Sequence, residues 1–325
     1  MSERYSRQEL VGEVGKKGQQ KIRNTTVAIV GVGALGTVAA EILCRAGVKK
    51  LILVDRDVVE ESNLQRQALF TGIDLNKPKA TAAQEKLKSI NHNVDIIAYA
   101  DELTSQTIQG YLEKADIILD GLDNVATRLL LNDFCVKKKI PWIGGAAVKD
   151  KGFIIPFPVG GACYQCVFKN AENQAGHTET CDTVGVLGSI THIIGSLQAA
   201  ECIKMILNYP QQQMITHISL FKNTWTRATV EKRKDCLTCQ SSFPYLNKRP
   251  NEETVRLCGK DSYQIRFKKE IDLSSLKERL KKVGNVQDYG TCLKFKNLTI
   301  FKNRVLIKAE NKQKAQQGVV RYLGL

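Results

Sequence analysis

The chain has 325 residues, 43% hydrophobic and 25% charged, enough to bury a substantial core and unlike a disordered or low-complexity protein. Lys and Arg outnumber Asp and Glu by 48 to 33, and residues 241–325, with 19 basic against 8 acidic, hold +11 of the +15 net charge. Such a field can steer an acidic protein partner; with no aromatic-interleaved RNA motif and no helix-turn-helix signature, nucleic acid is not the expected ligand.

The opening MSERYSRQEL has no apolar signal core, and apolar runs such as VAIVGVGALG are short and broken by glycine. A cytoplasmic protein without a membrane span is therefore expected. Ten cysteines in a reducing compartment do not read as a disulfide framework, and four of them form two C-x-x-C pairs.

In chain order, TTVAIVG reads as a buried strand, ALGTVAAEILCRAG as a helix and KKLILVD as a second strand. A polar loop, SNLQRQ, follows, then a helix in KPKATAAQEKLKSI and a strand in VDIIAYA. ADIILD is a strand ending in the loop GLDN, NVATRLLLNDFCVKKK a helix, and IPWIGG another strand. This alternation predicts an α/β fold with a doubly wound, mostly parallel, Rossmann-like sheet. Ligands bind such sheets at the carboxyl ends of the strands, where GVGALG, Asp55, SNLQRQ and GLDN all fall.

From Lys151 the rhythm changes. KGFIIPFPV is extended, residues 160–188 form a long polar loop, SITHIIGSLQAAECIKMILN is a helix, and MITHISLFKNTWTRATVEK an antiparallel strand pair. Connectors of that length are usually functional lids or disordered. SSFPYLNKRPNEE reads as a linker, giving expected divisions at 1–240, 241–253 and 254–325. The last part has a strand-helix-strand-strand-helix pattern, with Asp272 as an N-cap and a hairpin turning at KN, making a small α+β domain.

The turn Gly31-Val32-Gly33-Ala34-Leu35-Gly36 follows a strand and opens a helix, the context a phosphate-binding turn requires. Glycine lets backbone approach the ligand, and the helix N-terminus supplies N–H groups and positive potential. Asp55, ending the second strand, is placed for ribose hydroxyls. These features alone would suit an NAD(P)-linked oxidoreductase. Asn63, Arg66 and Lys79 add two cations and an amide, which suit a polyphosphate under attack at phosphorus. Asp123, in GLDN, supplies a carboxylate for Mg²⁺, which takes few protein ligands and many phosphate oxygens. No G-x-x-x-x-G-K-[ST] is present, so an ATP site here is not of the P-loop kind.

Cys163-Tyr-Gln-Cys166 and Cys236-Leu-Thr-Cys239 match a closed, structural Zn²⁺ site of four thiolates. Cys181 is unpaired in the polar loop ahead of a helix, where a thiol pKa would be lowered; His177 lies near it. Cys44, Cys135, Cys202, Cys258 and Cys292 are expected to be core residues, as are His192 and His217.

RYSRQ, GVGALG, VDRD, SNLQRQ, KPKA, LDN with a following Arg128, the two C-x-x-C pairs and GSLQAAECIK occur in that order. Over residues 1–240 this set resembles the bacterial ThiF/MoeB-type adenylyltransferases of thiamine and molybdopterin biosynthesis, relatives of the ubiquitin-activating enzymes. The resemblance implies ATP, Mg²⁺ and structural Zn²⁺, with Asp55 at the ribose and Ser62, Asn63, Arg66 and Lys79 at the phosphates. It makes Asp123, beside Asn124, the Mg²⁺ carboxylate, and Arg7 a residue reaching into the neighbouring subunit of a homodimer. Cys181 matches a cysteine that joins to the carrier in thiamine-type members. The partners implied are a small ubiquitin-like sulfur carrier (ThiS- or MoaD-type) and a sulfur donor such as a cysteine desulfurase. An oxidoreductase on the same turn and a non-catalytic module that docks a ubiquitin-like protein are the alternatives left open.

Overall fold

The computed structural model describes residues 3–169, 181–210, 212–247, 254–256, 262–267 and 269–324. It divides into two compact units, residues 1–75 with 79–249, and residues 76–78 with 250–325.

The first unit opens with α1 (Ser6–Glu9) and α2 (Gly15–Asn24). Then come β1 (Thr26–Val30), α3 (Ala34–Ala46), β2 (Lys50–Val54), α4 (Lys79–Ile90) and β3 (Asp95–Tyr99). A short α5 (Ile108–Leu112) precedes β4 (Ile117–Asp120), α6 (Val125–Lys138), β5 (Trp142–Val148) and β6 (Lys151–Phe157). Two single turns, α7 (Tyr164–Val167) and α8 (Cys181–Val184), lead to α9 (Gly188–Leu207). The hairpin β7 (Met214–Ser219) and β8 (Thr224–Thr229) and the turn α10 (Pro244–Asn247) complete it. Within the segment expected to be a linker, Tyr245 donates its N–H to Asp133 Oδ2 at 2.9 Å, so α10 belongs to the packed structure.

The eight strands lie in the order β3-β2-β1-β4-β5-β6-β7-β8, parallel through β5 and antiparallel beyond it. β1 and β4 are neighbours whose following segments diverge to opposite sides, the switch point where such sheets hold ligands. β1 and most of β2 and β4 are buried, which is why these strands read as continuous apolar runs rather than alternating ones.

α9 is 20 residues long and apolar enough by length and composition to cross a membrane. It packs instead against α3, β5 and β6 inside the unit. Gly195 makes the crossing with α3 close: a Cβ there would lie 2.7 Å from the Leu35 carbonyl oxygen. The face it buries there carries Ile190, Ile194, Ala199, Cys202 and Ile206.

The second unit is a six-stranded antiparallel sheet in the order β11-β12-β13-β14-β10-β9. Its elements run β9 (Thr254–Arg256), β10 (Ser262–Arg266), α11 (Leu273–Lys281), β11 (Gln287–Asp288), β12 (Leu293–Phe295), β13 (Leu298–Ile300), β14 (Arg304–Lys308) and α12 (Lys312–Leu323). Leu276 and Leu280 of α11 and Val319 of α12 share one apolar core with Phe295, Leu298, Ile300 and Val305 of the sheet. Asp272 caps α11 by accepting the Ser274 N–H at 2.9 Å, and the β12–β13 hairpin turns at Lys296-Asn297 as expected. The expected pattern has one strand before α11 and two between the helices; the structure has two before it, β9 and β10, and four between the helices, β11 to β14.

Candidate functional site

The glycine-rich turn is built by three glycines pressed together at the switch point. Gly31, directly after β1, has φ +89°, and a Cβ on it would lie 2.6 Å from the carbonyl of Gly121, the residue after β4. A Cβ on Gly36 would lie 2.0 Å from the Gly31 oxygen. Gly33 differs: the nearest atom to its Cβ position is Gln67 Nε2 at 3.8 Å, so protein packing does not demand its smallness. That leaves space against the first N–H groups of the 13-residue α3, which can approach an anion.

Asp55 clamps this turn from β2. Its Oδ2 accepts the Val32 N–H at 2.7 Å and its Oδ1 the Asp57 N–H at 2.7 Å. Burial pushes its pKa up to about 6, with the Asp57 charge adding and Lys79 opposing. Lys79 starts α4, is 7% exposed, and reaches Asp57 Oδ2 with its ammonium at 3.3 Å. Burial alone would lower the pKa of Lys79; the charges of Asp57, Asp55 and Asp123 outweigh it and hold the pKa above the ordinary value. The structure thus brings Asp55 and Asp123 within electrostatic reach of Lys79, with Asp57, which sequence reading passed over, as the closest partner of Lys79. The signal was present: VDRD sets two carboxylates two apart at a strand end.

In SNLQRQ, residues Glu61–Asn63 form a 3-10 turn in which Asn63, 9% exposed, accepts the Glu60 N–H with Oδ1 at 3.2 Å. The Asn63 carbonyl accepts the N–H groups of Arg66 and Gln67 at 3.1 and 3.0 Å. Asn63 therefore shapes the loop itself. Ser62 is exposed, and its carbonyl accepts the Arg66 guanidinium at 2.8 Å. Gln67 is buried beside Gly33, and its Oε1 is without a hydrogen-bond partner among the described residues. Gly188, at the start of α9, closes on the loop: a Cβ there would meet the Gln65 carbonyl at 3.0 Å.

Beyond β4, Asp123 is exposed, and one of its oxygens accepts the Asn124 amide at 3.2 Å. Asn124 N-caps α6 through the Thr127 N–H at 2.9 Å. Arg7 lies exposed on α1, with no side-chain partner among the described residues. Cys181 begins α8, but its side chain and His177 lie outside the described residues, as does Cys258. Cys44, Cys135, Cys202 and Cys292 are buried, as expected.

The two histidines expected in the core are not there. His192 is exposed on the first turn of α9, its Nδ1 2.8 Å from the Gly188 carbonyl, and His217 is exposed on β7 with its ring centroid 5.8 Å from that of Phe153. The apolar periodicity was real, but both side chains occupy the uncovered side of their elements.

The four paired cysteines do meet. Their sulfurs lie within 4.8 Å of one another, with Cys163–Cys236 at 3.5 Å, Cys166–Cys239 at 3.6 Å and Cys163–Cys166 at 3.8 Å. A tetrahedron with Zn–S bonds of about 2.3 Å has edges of about 3.8 Å, so the donor set fits Zn²⁺. α6 holds both knuckles: Asn132 Oδ1 accepts the Tyr164 N–H at 2.8 Å, and Asp133 Oδ1 accepts the Thr238 hydroxyl at 2.9 Å.

This chain is similar to proteins whose names are informative. It is 37% identical over 292 residues to the sulfur carrier protein ThiS adenylyltransferase of Bacillus subtilis, covering 87% of this chain and 86% of that one. It is 37% identical over 270 residues to the adenylyltransferase and sulfurtransferase MOCS3 of Aedes aegypti, covering 80% of this chain and 61% of the mosquito protein's length. The crystal structure of E. coli MccB with ATP superposes with a TM-score of 0.64 at 24% identity, covering 74% of this chain and 75% of that one, a likeness of fold. The ThiF family profile aligns with residues 5–239, a span that starts just ahead of Arg7 and ends on the fourth cluster cysteine, and the chain belongs to that family.

Proposed function

We propose that the chain adenylates the C-terminal glycine carboxylate of a small ubiquitin-like sulfur-carrier protein, using ATP and Mg²⁺, and so prepares it for thiocarboxylation in thiamine or molybdopterin biosynthesis. The observation that carries this reading is the buried Lys79 set among Asp55, Asp57 and Asp123, with Asp55 also holding the Val32 N–H of the glycine-rich turn. A dinucleotide's diphosphate does not call for a buried cation of this kind. The names of the Bacillus and mosquito relatives support the same chemistry, and the bound ATP of MccB supports the nucleotide.

In this reading Asp55, kept in place by Val32 and Asp57, receives the ribose, and the α3 N-terminus with Gly33 faces the phosphates. Lys79 and Arg66 neutralise the polyphosphate, Arg66 by leaving the Ser62 carbonyl, with Arg7 contributed by the second subunit of a homodimer. Asp123, an exposed carboxylate close to Lys79, suits a hard cation, and Mg²⁺ held there would offset phosphate charge. The carrier's carboxylate attacks the α-phosphorus and pyrophosphate leaves. That nucleophile is already ionised, so no general base is required. A persulfide, delivered by a donor such as a cysteine desulfurase and handled by Cys181, would then attack the acyl carbon, forming a carbon–sulfur bond as the bond to AMP breaks and AMP leaves. The four-thiol cluster would hold Zn²⁺ for structure, and the protein would work in the cytoplasm.

The test is carrier-dependent exchange of pyrophosphate into ATP, run with a ThiS-type and a MoaD-type carrier. Asp123→Ala and Arg66→Ala are each expected to lower exchange at least about a hundredfold, the scale of losing one electrostatic contact in a transition state. Unchanged exchange in both would overturn the nucleotide-site assignment.

A further inference from the structure

Gln67 closes the loop SNLQRQ and is 4% exposed, so its carboxamide lies almost wholly inside the protein. Its backbone is held on both sides: its N–H donates to the Asn63 carbonyl at 3.0 Å, and its carbonyl accepts the Phe70 N–H at 3.1 Å. The side chain is not held in the same way. Its buried Oε1 has no hydrogen-bond partner among the described residues. A carboxamide so placed is less favourable than an apolar side chain of the same shape, because it has lost contact with water without gaining a partner. The chain around it enters the core at Leu69 and Phe70, an environment that would accept Met.

The other end of the carboxamide lies at the glycine-rich turn. Nε2 is the nearest atom to the position that a Cβ on Gly33 would take, at 3.8 Å. Gly33 is the N-cap of α3 and brings no side chain of its own to the helix end. The first N–H groups of an α-helix have no acceptor within the helix, and that end carries positive potential. The Val32 N–H, just before Gly33, is already taken by Asp55. Nε2 of Gln67 therefore stands beside the same space as the first N–H groups of α3. A neutral amide costs less to bury than a cation, and it donates at any pH.

We infer that Gln67 contacts the nucleotide, its Nε2 donating to a phosphate oxygen seated against Gly33 and the first N–H groups of α3. This rests on the nucleotide site proposed above and adds a neutral donor to Lys79 and Arg66. Its consequence is a conflict between stability and binding: the amide weakens the nucleotide-free fold and strengthens the hold on phosphate. A residue kept only for packing would show neither half of that pattern.

The experiment compares wild type, Gln67→Met and Gln67→Glu as full-length chains. Melting temperature is read without nucleotide, and affinity is read by calorimetry, for Mg²⁺ with a non-hydrolysable ATP analogue and for adenosine. Gln67→Met is expected to melt about 2–4 °C above wild type, since it no longer buries an unpaired amide. Its affinity for the analogue is expected to fall about tenfold to a hundredfold, the scale of one hydrogen bond to a charged group, with adenosine affinity unchanged. Gln67→Glu keeps the shape and replaces the donor with a negative charge, so its analogue affinity is expected to fall further still. Unchanged analogue affinity in either variant overturns the inference and leaves the proposed function standing. An equal loss for adenosine overturns the assignment to phosphate. A lower melting temperature in Gln67→Met overturns the inference as well, by showing that the protein itself holds the amide. Wild-type protein that does not bind the analogue overturns the proposed function, and this inference with it.

Discussion

Asp55 is a carboxylate that the fold keeps ionised at a measurable penalty, and Asp55→Asn should expose it. Burial raises its pKa from 3.8 to about 6, which corresponds to about 3 kcal/mol of disfavour for the charged form in the folded protein at neutral pH. The sign is opposite to that of most aspartates. Between these two values the folded chain binds the proton more tightly than the unfolded one, so this group's contribution to stability falls as pH rises through the window. The asparagine variant has no such slope. It keeps one acceptor for the two N–H groups of Val32 and Asp57, and the N–H left unpaired costs about 1–3 kcal/mol at all pH values. Relative to wild type, the variant should therefore gain about 2 kcal/mol between about pH 4.5 and about pH 7.5, the part of the 3 kcal/mol spanned there. Urea unfolding of both proteins across that range, at constant ionic strength, reads the difference directly. A difference that is flat, or that falls with pH, would refute the reasoning, the latter by showing that hydrogen bonds and Lys79 outweigh burial.

Two further outcomes follow from geometry already given. Gly36→Ala places a Cβ 2.0 Å from a backbone oxygen, so the turn must move, and about 3 kcal/mol of stability should be lost, whereas Gly110→Ala on α5, with open space around it, should be neutral or slightly stabilising in thermal melts. Burial pushes the Cys163 thiol well above its usual range and Cys239 up to about 11, so metal uptake must expel protons; zinc retained after dialysis should fall steeply from about pH 8 to about pH 5.5, and equal retention at both would argue against thiolate ligation.

Much of the nucleotide-binding half was legible because its signals are local. A strand, a glycine-rich turn and a helix N-terminus are contiguous in VAIVGVGALG, and Asp55 and GLDN each end a strand of their own. What the sequence could not express was contact between strands distant in the chain. Gly31, Gly36 and Gly121 form one packing unit only because β4 lies beside β1. Arg128 was visible as part of a motif, but its hold on the Gly145 carbonyl depends on β5 arriving beside α6. Asn63 was read as a ligand for phosphate, while its capping of its own turn was hidden in a side chain that fits either use. The second unit was underread for a different reason. β11, β12 and β13 are two or three residues long, too short for periodicity to register.

The position of α6 also dictates an order of assembly. Its N-cap stands at the Asp123 loop, and eight residues on, the consecutive pair Asn132 and Asp133 receives the two cysteine knuckles. The first knuckle leaves the ribosome shortly after β6, but Cys236 and Cys239 follow β8, when every strand of the large sheet has been made. Until then the nascent chain offers only two of the four sulfurs. Closure of the cluster is therefore a checkpoint at the end of synthesis of this unit: it requires a docked α6 and a finished hairpin, and it records that both are in place.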